Sequence, residues 1–321
     1  MLGKIRHCNE RRKKLFVHIG MSRAGSTFLQ REIFKAQKKI PSYGSGQGVA
    51  DGKDQLLSIG KAMRQLRPND WYDEETIKKL DYLKKGGIFT HETISKVPPN
   101  LLNDHLAALA DVLNEEYNVR LKVIMVFRSQ QDWFVSRYLK EKYDAFSKGL
   151  APPVDEENFK SYVRNIIFSP KRKHPNPNYL EFYESLIEAV GKENVHVDLY
   201  ERLGDVAFWE MLGDFIQADE VCRLGNARKN ELSGVVLDKE KTRWLLHAPS
   251  RKKGGDNFAL VKSYVKNPRM FIRKMHCRFP LSLNLSEEYY DLIRRNFERS
   301  NSDVGSRIGV DMSKYGYFTY R

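Results

Sequence analysis

The sequence predicts an α/β fold of three layers, a central, mainly parallel sheet flanked by helices on both faces. Short apolar runs near 15–20, 87–90, 121–127 and 194–199 read as buried strands. Stretches long enough for amphipathic helices separate them, which favours right-handed crossovers and parallel pairing. Gly20, His91, Arg128 and Tyr200 follow directly on those runs, and open α/β sheets hold their ligands beyond the carboxyl ends of the strands.

The elements follow in order. Residues 1–14 read as a basic, solvated arm carrying Lys4, Arg6, Arg11, Arg12, Lys13 and Lys14. In the first strand Leu15, Val17 and Ile19 alternate with Phe16 and His18, and His18 reads as a packing residue. A helix is expected over 26–38. The Gly- and Ser-rich stretch from Ser42 to Gly48 reads as a loop over the site. Helical stretches near 52–66 and 73–84 lead to the second strand. A helix over 100–117 turns Leu101, Leu102, Leu106, Leu109 and Leu113 inward. The third strand is followed by a helix with Phe134, Tyr138 and Leu139 on one side. The fourth leads into an amphipathic helix with Phe208, Met211, Leu212 and Phe215. Regions 139–179 and 232–285 read as less regular insertions lining an acceptor cleft. No linker, repeat or low-complexity tract divides the 321 residues, so 15–321 is expected to be a single domain.

The densest signal lies where the first strand ends. Gly20 and the segment Ser22-Arg23-Ala24-Gly25-Ser26-Thr27 join that strand to a helix opening at Phe28. Such a turn gathers backbone N–H groups, a helix N-terminus and two hydroxyls around an anion, and Arg23 adds a full charge. The Gly spacing is P-loop-like. A nucleoside triphosphate loop, however, needs Lys where Ser26 stands, and an acidic residue near a later strand to help hold magnesium. The best later strand, from Leu121 to Phe127, ends instead in Arg128, a cation suited to binding a second anion directly. In the next helix Ser136 lies about two turns in, within reach of the same anion.

Together these segments resemble the sulfotransferases that use 3′-phosphoadenosine 5′-phosphosulfate (PAPS). The family's first loop, [Lys/Arg]-x-Gly-[Ser/Thr]-Thr, is matched by Arg23 through Thr27. Its 3′-phosphate element, an Arg at a strand end, a Ser eight residues later and an aromatic two further on, is matched by Arg128, Ser136 and Tyr138. Family members usually follow that Arg with Asn or Asp and then Pro; here Ser129 and Gln130 follow. Lesser likenesses are Tyr200-Glu201-Arg202-Leu203 after the fourth strand, the basic Gly-containing run Arg251-Lys252-Lys253-Gly254-Gly255, and a tail from Gly309 to Tyr317 similar to that of bacterial members acting on carbohydrates.

The resemblance implies a transferase that moves a sulfuryl group from PAPS to a hydroxyl or amine of a carbohydrate or polysaccharide by direct in-line transfer, without a metal. It implies donor contacts from Arg23, Ala24, Gly25, Ser26, Thr27, Phe28, Arg128, Ser136, Arg251 and Lys252, with Arg23 also stabilising charge in the transition state. For the general base it leaves His91 and Glu92 both open, since different branches use a His or a Glu near this strand end. From their side chains, Trp71 and Trp133 read as indoles buried or half-buried in the fold, with adenine stacking as the alternative.

Composition fits these expectations. A net charge of +14 favours anionic partners, here PAPS and a polar or anionic glycan. No helix-turn-helix, zinc-finger or RNP pattern points to nucleic acid. Cys8, Cys222 and Cys277 have neither disulfide-framework nor zinc spacing. No apolar run approaches a membrane span and no signal-peptide pattern is seen, which points to a cytoplasmic, bacterial protein. Two other readings remain open at this stage: a nucleotide-dependent phosphotransferase with a degenerate P-loop, and a non-catalytic polyanion-binding protein.

Overall fold

The computed structural model describes residues 12–37, 40–44, 59–92, 94–147, 154–168, 177–218, 236–240, 243–247 and 281–320. Five parallel strands form the central sheet: β1 (Lys13–Ile19), β2 (Ser42–Gly44), β3 (Gly87–His91), β4 (Val119–Phe127) and β5 (Val195–Leu199), in the order β2-β3-β1-β4-β5. β1 is central. Its last residue, Ile19, pairs with His91 of β3 on one side and Met125 of β4 on the other, so three strand tips open onto one edge.

The two-residue period of the strands divides the core into two layers. Leu15, Val17, Ile19, Phe89, Val123 and Met125 face a large cluster with α2 (Ile59–Gln65), α4 (Pro99–Tyr117), α5 (Gln130–Ser147) and α7 (Tyr179–Val190). Phe16, Ile88, Ile124 and Val126 face the other way, onto Phe208, Trp209, Leu212 and Ile216 of α8 (Val206–Ile216) and onto Leu29, Ile33 and Phe34. The last three belong to the helix after the first loop. It starts as one α turn, α1 (Ser26–Phe28), and continues as a π-helix over Leu29–Phe34. Each fully buried Leu or Ile contributes about 1.5–3 kcal/mol, so the strand tips stand on a stiff base.

The remaining elements lie outside this sheet. They are α3 (Glu74–Leu80), α6 (Glu156–Phe168), a three-stranded antiparallel sheet of β6 (Val236–Glu240), β7 (Arg243–His247) and β8 (Leu281–Asn284), and α9 (Glu287–Ile308), which packs on α5 and α7. Among the described residues no helix is long and apolar enough to cross a membrane.

Several boundaries differ from expectation. Lys13 and Lys14 belong to β1 rather than to an arm, because pairing with Val119 and Arg120 extends the strand backwards. Ser42–Gly44 is an edge strand, not a loop, paired with Ile88 to Thr90 and anchored by Tyr43, which packs edge-on against Tyr82. The region after 139 is more regular than expected, since α5 runs to Ser147 and α6 follows. Leu101 and Met211 are exposed on their helices instead of packed inward. Residues 1–11, 45–58 and 248–280, which include Arg251, Lys252 and two of the cysteines, lie outside the described residues, as does Cys222.

Candidate active site

The loop after β1 is tightly folded. Ala24 N and Ser26 Oγ both donate to the Met21 carbonyl, at 3.1 and 2.8 Å. Arg23 and Gly25 take left-handed φ values of 71° and 73°. At Gly25 a side chain is excluded twice over: that φ disfavours a Cβ, and a Cβ would stand 3.0 Å from both Tyr200 and Leu203.

Arg23, Arg128 and Ser136, which are far apart in sequence, meet at this loop. Arg23 Nε donates to Ser136 Oγ at 2.8 Å, and Arg128 Nη1 donates to the Arg23 carbonyl at 2.7 Å. Ser136 is fully buried. The Arg128 guanidinium lies over the Tyr200 ring, 4.7 Å from its centroid, while its Nε is buried with no protein partner. Two cationic side chains thus flank a turn that already favours anions.

The strand alternation separates His91 from Glu92. His91 shares a face with Phe89, stacks on it (6.4 Å between centroids, 7° between planes) and abuts α2 so closely that a Cβ on Gly60 would come within 2.7 Å of the imidazole. Glu92, just past the strand, turns to the loop. Its Cγ would meet a Cβ on Gly20 at 3.1 Å, and its Oε1 accepts from Thr27 Oγ1 at 3.4 Å. Burial raises the Glu92 pKa above the usual carboxylate value, while Thr27, Arg23 and Lys96 pull it down. A carboxylate in this balance is suited to taking up a proton.

His18, His105, His196, Trp71 and Trp133 fall into structural roles. His18 is fully buried, its Nδ1 2.7 Å from Thr90 Oγ1, and burial lowers its pKa to about 3, leaving it neutral. His105 and His196 are buried packing residues, and Trp71 donates its indole N–H to His105 Nδ1 at 2.8 Å. Phe28 leans on Trp209, with ring centroids 6.0 Å apart. Trp133 is completely buried and donates to the Ser22 carbonyl at 2.9 Å.

Sequence reasoning missed Arg137. Its Nη1 donates to Ser22 Oγ at 3.0 Å, and its guanidinium lies 5.4 Å from the Trp133 ring centroid, so a third arginine braces the loop. The i,i+4 spacing of Trp133 and Arg137 was the available signal. A groove of about 850 Å³, lined by Pro98, Asp104, Phe168, Glu181 and Glu188 among others, sits on the flank of α4 and α7 and includes none of these residues.

No protein-family model and no curated protein sequence matches the chain. Among solved structures it is similar to a sulfotransferase from Alicyclobacillus acidocaldarius, at 12% identity over 84% of this chain and 97% of that one, with a TM-score of 0.39. It is also similar to the sulfotransferase domain from the curacin biosynthetic pathway, at 10% identity over 93% of this chain and 98% of that one, with a TM-score of 0.34.

Proposed function

We propose that this chain is a sulfotransferase that moves the sulfuryl group of PAPS to a hydroxyl or amine of a carbohydrate or polysaccharide. The observation that supports this most is the meeting of Arg23, Arg128 and Ser136 at one strand edge. A donor with phosphate groups at both ends of one nucleoside needs cations and hydroxyls for each end, gathered at one strand edge. The loop from Arg23 to Thr27 supplies the first, for the 5′-phosphosulfate. Arg128 and Ser136 supply the second, for the 3′-phosphate, and the buried, unpartnered Nε of Arg128 is a donor that such a phosphate would satisfy.

Glu92 is the general base in this reading. Its carboxylate accepts the acceptor's proton as that oxygen or nitrogen bonds to sulfur, and the S–O bond to the 5′-phosphate breaks with its electron pair leaving on the phosphate. Arg23 and the loop N–H groups stabilise the charge developing there; losing one preorganised donor of this kind typically costs on the order of 10²-fold in rate. A glycan acceptor is favoured by the net charge of +14 and by the Lys- and Arg-rich composition of 139–179. The test is calorimetry with 3′-phosphoadenosine 5′-phosphate (PAP) against ATP-Mg, followed by an acceptor screen with labelled sulfate. Tighter binding of ATP-Mg than of PAP would overturn the proposal.

A further inference from the structure

The strand tip that carries Arg128 has no proline after it to fix the backbone. Instead, each of the next three residues is wired to the C-terminal tail. Ser129 N donates to Glu201 Oε1 at 2.9 Å, and Glu201 Oε2 accepts from Tyr317 Oη at 2.9 Å. Gln130 Nε2 donates to Asn301 Oδ1 at 2.8 Å, and Asn301 Nδ2 donates to the Phe318 carbonyl at 3.0 Å. Gln131 Nε2 donates directly to the Gly316 carbonyl at 2.6 Å. The Arg128 carbonyl accepts from Tyr179 Oη, and the Tyr179 ring packs edge-on against Tyr317 at 6.5 Å.

We infer that residues 316–318 position the phosphate site, fixing the backbone from 128 to 131 so that the Arg128 guanidinium faces the loop; this rests on the proposed function. The physical argument is one of conformational freedom. The proline-free link between β4 and α5, Arg128 and Ser129, samples several backbone states unless it is held, and each one removed in advance is an entropy cost the ligand does not meet; Gln130 and Gln131 tie the first turn of α5 that follows it. Three anchors, on three consecutive residues, come from one distant segment. Glu201 and Asn301 act as relays: both are held from two sides, and neither touches the loop from Arg23 to Thr27 in any described hydrogen bond.

The test compares binding of PAP with binding of adenosine 5′-phosphate, which lacks the 3′-phosphate, in the full chain and in Tyr317→Phe and Gln131→Ala. Each variant removes one tie and keeps the packing, and Tyr315→Phe serves as control because Tyr315 Oη bonds Asp205 instead of the turn, at 2.8 Å. The expected result is a five- to tenfold fall in the preference for PAP in both test variants, with unchanged affinity for adenosine 5′-phosphate and no change in the control. Equal losses for the two nucleotides, no loss, or a matching loss in Tyr315→Phe would overturn the inference. Should Tyr317→Phe fold poorly, Gln131→Ala decides alone, since its side-chain amide lies at the surface. A wild-type chain with no preference for PAP removes the sulfotransferase reading and this inference with it.

Discussion

Replacing Arg128 by alanine separates the two ends of the donor. Its guanidinium is the cation the proposed function assigns to the 3′-phosphate, and charge-assisted hydrogen bonds of this type contribute about 1.5–3 kcal/mol each. Removing a forked contact is therefore expected to weaken PAP binding by about 3 kcal/mol, on the order of 100-fold. The same substitution also releases the Arg23 carbonyl, now held at 2.7 Å. That single bond contributes about 1 kcal/mol, roughly fivefold, and affects any nucleotide the loop holds. Calorimetry with PAP and adenosine 5′-phosphate at one fixed ionic strength reads both numbers, since screening changes exposed charge interactions. Arg128→Lys keeps the charge but not the fork, so its loss falls between those of wild type and alanine. Equal losses for both nucleotides in Arg128→Ala would refute the assignment of this arginine to the 3′-phosphate.

Other outcomes are expected from the same geometry. Glu92→Gln slows sulfate release from PAPS to water by about 10²–10⁴-fold with PAP affinity kept, whereas His91→Asn costs less than about tenfold; the reverse order moves the base to His91. Because burial raises the Glu92 pKa and the base works ionised, the rate climbs with pH through a value above that of an ordinary glutamate, and a pH–rate profile flat from 4 to 8 excludes it. Gly25→Ala forces a Cβ into left-handed backbone and against Tyr200, at a cost of about 1–2 kcal/mol, seen as a melting point lower by a few degrees; an unchanged melting point would show that the loop adjusts freely. Burial raises the Glu201 pKa from 4.5 to about 7, so the folded chain holds this proton more tightly than the unfolded one. Its contribution, up to about 3 kcal/mol, is present below pH 4.5 and lost as pH rises through about 7, and Glu201→Gln should flatten the fall in denaturation midpoint between pH 5 and 8.

What the sequence made legible was local. Strands betray themselves by the pattern within a few residues, and a small-residue turn between strand and helix is a local pattern that favours an anion. The identity of the residue facing that site was also readable in principle, because a period of two places His91 on the face of Phe89 and leaves Glu92 beyond the strand. The ties that hold the site were not legible. Glu201 to Ser129, Asn301 to Gln130 and Tyr317 to Glu201 join residues 72, 171 and 116 positions apart, and no spacing rule connects such pairs. Ser42 to Gly44 misled for a related reason: its strand exists because β3 offers it an edge, not because glycine and serine favour one.

The π-helical stretch after the loop has a consequence for the two hydroxyls that precede it. Leu29, Ile33 and Phe34 are pinned in the interior, while Lys35 N reaches back five residues to the Gln30 carbonyl at 3.3 Å. Each residue of an ordinary helix advances about 100° around the axis. Shortening this stretch by one residue, at Gln30 for instance, would rewind it and swing Ser26 and Thr27 by roughly that angle against the fixed apolar anchors. The direction in which those hydroxyls aim is thus set by a winding irregularity downstream, as the phase of a screw is set by its pitch.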